Sequence, residues 1–108
     1  QDYQKGVKLL EEAYRSGNKW GLVYLGRAYA KGLGVPYDHG KARELLEKVT
    51  WENPQKDYLL GMLYARGLGV PEDIKKGVEY LKKAPGREDA REELAKYKKT
   101  LFGKWVRR

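Results

Sequence analysis

The sequence has no cysteine, and among its 108 residues it has one histidine, one serine and two threonines. Without cysteine there can be no disulfide framework and no thiolate metal site, and the absence fits a reducing or an oxidising compartment equally. One His and one Ser leave nucleophilic triads and imidazole metal sites almost without raw material. The inventory therefore speaks against an enzyme, and no catalytic, cofactor-binding or metal-binding residue is nominated. No apolar run approaches the length of a membrane span, so no membrane partner is expected. The chain opens at Gln1, with neither a Met nor the apolar centre of a signal peptide. Its first residues already fall inside a repeat, so the expectation is a chain trimmed at its N-terminus.

What is present is the composition of a folded domain: 41% hydrophobic residues and three Trp against 35% charged residues. The net charge of +8 is unevenly spread. Residues 96–108 carry six basic side chains (Lys96, Lys98, Lys99, Lys104, Arg107 and Arg108) and no acid, whereas the first 95 residues are close to neutral.

One stretch occurs twice. Residues 25–36 read LGRAYAKGLGVP and residues 60–71 read LGMLYARGLGVP, and over 25–49 against 60–84 the two copies agree at 14 of 25 positions. A period of 35 residues marks a stacked repeat. Within each unit, Asp38 and Asp73 stand two residues after a proline, where a side-chain oxygen can cap a helix. Apolar or small residues then follow at helical spacing: Ala42, Leu45, Leu46, Val49, and Gly77, Tyr80, Leu81, Ala84. Residues 2–13 repeat that pattern with Asp2, Gly6, Leu9, Leu10 and Ala13. The preceding halves, from about Asn18 to Lys31 and Gln55 to Arg66, form the first helix of each pair. Gly32 and Gly67 stand at their left-handed C-caps, and Pro54 and Lys56 suggest an irregular start to the second. Gly26 and Gly61, poor helix residues, imply helix contacts too close for a Cβ.

The expected fold is all-α: an α–α superhelix, a short right-handed solenoid of antiparallel helix pairs forming a single domain over 1–108. Its parts are the second helix of a truncated repeat (1–17), two repeats (18–52 and 53–86), and a C-terminal capping helix with a basic tail (87–108). In the cap, Leu94, Tyr97, Leu101 and Trp105 are expected to close the core.

The L-G-x-x-Y-x-x-G-x-G-V-P-x-D pattern resembles the Sel1-like repeat family, a relative of the tetratricopeptide repeats. It is carried by Leu25, Gly26, Tyr29, Gly32, Gly34, Val35, Pro36 and Asp38, and again by Leu60, Gly61, Tyr64, Gly67, Gly69, Val70, Pro71 and Asp73. Gly6 and Gly77 depart from it, standing where the family prefers Ala. The resemblance implies a scaffold or adaptor in protein complexes and no catalytic activity. Family habit and the thiol-free surface lean towards a bacterial cytoplasm, although a trimmed N-terminus leaves export open.

On that reading the partner is a protein or peptide held on the concave face of the first helices. The candidate contacts are Trp20, Val23, Tyr24 and Arg27, with Tyr58, Leu59 and Met62 in similar places on the second repeat. Aromatic and Arg side chains are enriched at binding hot spots; the plainer reading is that several simply pack against a neighbouring repeat. The alternative function gives the basic C-terminal segment to nucleic acid or another polyanion, with Tyr97, Phe102 and Trp105 interleaved for stacking. Against it, cations suit a helix C-terminus, and no nucleic-acid fold signature accompanies them. His39 reads as a first-turn residue, and Glu92-Glu93 as a solvated acidic pair.

Overall fold

The computed structural model describes residues 3–108; Asp2, set first in the register of the opening helix, lies outside the described residues. Six helices and two short strands follow in order: α1 Tyr3–Arg15, α2 Trp20–Lys31, α3 His39–Glu47, α4 Pro54–Arg66, α5 Ile74–Lys82, α6 Glu88–Leu94, β1 Tyr97–Lys99 and β2 Trp105–Arg107. The chain divides into two compact units, Gln1–Glu52 and Asn53–Arg108. The first holds α1–α3 and the second holds α4–α6 with the strands.

The repeated sequence produces the same local geometry twice. Helices α2 and α4 end on Gly32 and Gly67, with φ/ψ of 67°/41° and 67°/43°, a left-handed conformation that costs a residue with a Cβ about 1–2 kcal/mol. The next amide then turns back onto the helix: Leu33 N–H donates to the Ala28 carbonyl at 2.9 Å, and Leu68 N–H to Leu63 at 2.8 Å. At the far end of each connection, Asp38 N–H donates to the Tyr29 carbonyl at 3.1 Å and Asp73 N–H to Tyr64 at 2.8 Å. The same two aspartates cap the next helix, each accepting from the backbone N–H three residues on, Lys41 or Lys76, at 3.0 Å. Lys41 Nζ then lies 5.0 Å from the Tyr29 ring centre and Lys76 Nζ 4.4 Å from that of Tyr64, within cation–π range. The long connection is thus closed by backbone hydrogen bonds at both ends.

Each pair packs through a glycine. A Cβ on Gly26 would stand 2.6 Å from Leu46 Cγ, and one on Gly61 2.7 Å from Leu81 Cγ. Leu46 and Leu81 are among the most deeply buried side chains, so neither can move aside, and interiors this dense transmit any added volume as strain. In the first unit, Val7, Leu22, Val23, Leu25, Leu45 and Val49 form the buried cluster, with Leu10 and Tyr14 of α1 packed against it. In the second, Leu60, Leu63, Val78, Leu81, Ala84 and Ala90 are buried.

Three expectations need correction. Leu9 was expected in the buried stripe of the first helix and is 60% exposed; the inward face of α1 runs through Val7, Leu10 and Tyr14 instead. Pro54 does not disturb α4. It occupies the first helical turn, where its missing N–H costs nothing, behind an Asn53 cap whose Oδ1 accepts from Lys56 N–H at 3.0 Å.

The third correction concerns the C-terminal cap. The helix stops at Leu94, and residues 97–107 form an antiparallel hairpin with Tyr97 opposite Arg107 and Lys99 opposite Trp105. Its turn is held by Gly103 N–H to the Thr100 carbonyl at 2.9 Å and by Lys104 N–H to Thr100 Oγ1 at 3.0 Å, with Gly103 at φ 83°. Tyr97 is buried as expected and Leu94 and Trp105 are half-buried, but Leu101 is 96% exposed at the turn.

Candidate functional site

Helix α2 presents a free face. Trp20, Tyr24 and Arg27 follow one another at spacings of four and three, which puts them on one stripe of an α-helix. Trp20 is 58% and Tyr24 43% exposed, and Arg27 is half-buried. The stripe begins at the helix start, where Asn18 Oδ1 accepts from the Trp20 N–H at 3.0 Å. An exposed Trp and Tyr beside an Arg offer large, stiff contact area with a charged handle. Val23, the fourth residue expected on this face, is 1% exposed and belongs to the core of the first unit.

The corresponding residues of α4 do not extend such a face. Tyr58, Leu59 and Met62 are all buried. The Tyr58 hydroxyl donates to Met62 Sδ at 3.8 Å, and the Arg87 guanidinium, itself held by two hydrogen bonds to Asp89 at 3.0 and 2.8 Å, lies 5.6 Å from the Tyr58 ring centre. Burial, and after it the charges of Asp89 and Glu93, raise the Tyr58 pKa above its ordinary value. These three side chains are therefore not part of an exposed face. Of the sequence-nominated contacts, Trp20, Tyr24 and Arg27 remain accessible.

A polar cluster that the sequence did not reveal lies in the second unit. Glu93, read as a solvated acid, is 3% exposed. Its carboxylate accepts from Arg66 Nη2 at 2.6 Å and Nε at 3.1 Å, from the Tyr97 hydroxyl at 2.9 Å and from Lys96 Nζ at 3.1 Å. Burial alone would raise its pKa, but the bonds from Arg66, Tyr97 and Lys96 outweigh that and hold it at about 2. The same burial and the bond to Glu93 push Tyr97 up to about 12. A carboxylate fixed in its ionised form with both oxygens satisfied cannot exchange protons near neutrality; the cluster ties the end of α4 to α6 and the hairpin. Only the spacing of Glu93 and Tyr97, four residues apart, hinted at it, and Arg66 is 27 residues away in sequence.

Elsewhere the chemistry is sparse. Among the described residues, no group of three or more His, Cys, Asp or Glu side chains could hold a metal ion. His39 stands in the first turn of α3, its ring 5.5 Å from that of Tyr37. Among the described residues, no helix is long and apolar enough to cross a membrane.

Antiparallel helix pairs repeated with superposable caps and connections define a helical-repeat protein of the α-solenoid class. Within that class the chain belongs to the Sel1 repeat family, whose model matches residues 1–18, 21–48 and 57–84. Repeats of this family are in general protein–protein interaction modules. Among solved structures, a protective antigen of uropathogenic Escherichia coli displaying an SLR fold is similar, with a TM-score of 0.75 and 24% identity over 87% of this chain. This chain spans 21% of the length of that neighbour. No curated protein matches the chain significantly.

Proposed function

We propose that the chain is a non-enzymatic interaction module that holds a protein or peptide partner on the exposed face of α2. The observation that carries this reading is the stripe of Trp20, Tyr24 and Arg27, two aromatics left open to solvent beside a cation on a helix whose opposite face is core. Membership in a family of interaction repeats supports it, as does a residue inventory poor in nucleophiles. In a monomer, exposed Trp and Tyr have little to gain; against a partner they bury large areas at low entropic cost.

The test is photo-crosslinking from position 24, identification of the crosslinked chain, and titration of that purified chain against the parent and single variants Trp20→Ala, Tyr24→Ala and Arg27→Ala. At least one substitution should weaken binding by roughly thirtyfold, the size of a hot-spot residue. A partner that binds all three variants as tightly as the parent would remove α2 as the contact face.

A further inference from the structure

The second unit contains an open groove of about 730 Å³ between the end of α5, helix α6 and the hairpin. Its rim carries Lys82, Arg91, Lys98, Lys99 and Arg108, and no acidic side chain lines it. Among the described residues none of these five cations has a carboxylate partner: Arg91 Nη1 donates to the Pro85 carbonyl at 2.7 Å, a neutral acceptor, and Lys82 Nζ lies 4.9 Å from the Trp105 ring centre. The neighbouring cations Lys96 and Arg107 are different, being spent on Glu93 at 3.1 Å and Glu72 at 2.6 Å. The positive rim therefore joins three cations of the basic segment, Lys98, Lys99 and Arg108, to Lys82 of α5 and Arg91 of α6. The floor beneath it is apolar, made by Leu94, Ala95 and the Trp105 indole.

From this geometry we infer that the groove docks an acidic peptide segment carrying at least one large apolar side chain. Five unneutralised cations around one concavity create a field that attracts and retains negative charge. An apolar floor rewards a side chain that leaves water, which a purely hydrophilic polyanion does not supply. Beside the Trp105 indole, over which Lys82 Nζ lies at 4.9 Å, the floor is aliphatic, Leu94 and Ala95. An aliphatic floor suits an apolar side chain better than a stacked base, which turns the choice from nucleic acid towards a polypeptide. A volume of this size accommodates a few side chains rather than an extended surface. The inference shares with the proposed function only the class of partner, a polypeptide; the site is a second one, on different elements from α2.

The experiment uses the full chain and two short fluorescein-labelled peptides, one of glutamates interspersed with leucines and one in which every leucine is replaced by serine. Anisotropy titrations are run on the parent, on a Lys98→Glu/Lys99→Glu variant and on a Trp20→Ala/Tyr24→Ala variant, each checked for unchanged helical circular dichroism. The leucine peptide should bind the parent and lose roughly tenfold or more in affinity to the charge-reversed rim. The serine peptide should bind several-fold more weakly than the leucine peptide, and the α2 variant should bind both peptides like the parent. Equal affinity for the charge-reversed protein, or equal affinity of the two peptides, overturns the groove as the site. So does preference for single-stranded RNA or anionic vesicles over the leucine peptide at the same salt. Failure of the α2 proposal would leave these titrations unchanged, so the two readings fall separately.

Discussion

Gly61 of α4 and Gly77 of α5 meet backbone to backbone. A Cβ on Gly61 would stand 2.9 Å from the Gly77 carbonyl oxygen, and one on Gly77 would stand 2.7 Å from that of Gly61 and 2.6 Å from the Ala65 backbone N. Neither obstacle is a flexible side chain, so α4 and α5 must separate to admit a methyl group. Alanine normally stabilises a helix interior by about 1 kcal/mol over glycine, and overpacking a dense contact costs about 1–3 kcal/mol. Gly61→Ala and Gly77→Ala should each therefore lower the urea midpoint despite better helix propensity. Gly6 of α1 has nothing within 4 Å of its virtual Cβ, and Gly6→Ala should raise the midpoint. Opposite signs for the same substitution separate close approach from propensity; a midpoint raised by Gly77→Ala would show the contact to be looser than it stands here.

The Glu93 cluster predicts a specific acid response. The carboxylate falls from 4.5 to about 2 on folding, so it binds fewer protons in the folded chain than in the unfolded one. Its stabilisation is present above the unfolded value and is lost as pH drops from about 4.5 towards 2, a loss on the order of 3 kcal/mol. Denaturation midpoints should thus fall faster over that window for the parent than for Glu93→Gln, which has no carboxylate to protonate. Tyr97, raised from 10.0 to about 12, works in the other direction: its contribution is intact below pH 10 and is lost as pH rises towards 12. Tyr97→Phe should flatten that alkaline limb. Parallel pH profiles for parent and variants would deny the cluster its weight.

Most of the repeat was legible because it rests on local signals. Asp38 and Asp73, the cap glycines and the paired Gly26 and Gly61 each announce themselves by residue type and spacing, and the backbone has few ways to satisfy them. The candidate site was less legible. Helical phase placed Tyr24 and Tyr58 on comparable faces, but phase does not say which face finds a neighbour, and only Tyr24 stays open. The Glu93 cluster needed Arg66 brought from another helix, a contact of long sequence separation that no periodicity encodes. The hairpin was misread for a different reason. Leu94, Tyr97, Leu101 and Trp105 have near-helical spacing, yet Tyr97, Trp105 and Val106 also favour strands, and Gly103 supplies a positive φ that ends any helix. Ladder pairing then outweighed helix propensity.

The repeat connections predict modest, coupled losses when their ends are opened. Asp73 Oδ1 caps α5 through the Lys76 N–H at 3.0 Å, and Asp73→Ala should cost about 1 kcal/mol. Gly67→Ala forces a Cβ into a left-handed residue and towards Glu72 at 3.1–3.2 Å, for a loss of about 1–2 kcal/mol. The two sites lie at opposite ends of one closed connection. If the Asp73 N–H bond to Tyr64 couples them, the double variant will lose less than the sum of the singles. Strict additivity, measured by urea titration of all four proteins, would show that each end holds on its own.

Leu101 and Phe102 offer the cleanest contrast between the helical and the hairpin form of the C-terminal segment. In a capping helix Leu101 would be core, and a polar residue there would cost several kcal/mol, as large-to-small changes in cores do. In the hairpin the two side chains are 96% and 95% exposed at the turn, while the ladder is fixed by Thr100, Gly103 and the Tyr97–Arg107 register. Leu101→Ser and Phe102→Ser should therefore leave the urea midpoint within about 0.5 kcal/mol of the parent, as surface substitutions do. Gly103→Ala, at φ 83°, should loosen the turn, and amide exchange should report it first at the Thr100 N–H, which donates to the Lys104 carbonyl at 2.7 Å. A large loss from Leu101→Ser with slow exchange persisting through Gly103→Ala would restore the helix and remove the groove that the hairpin builds.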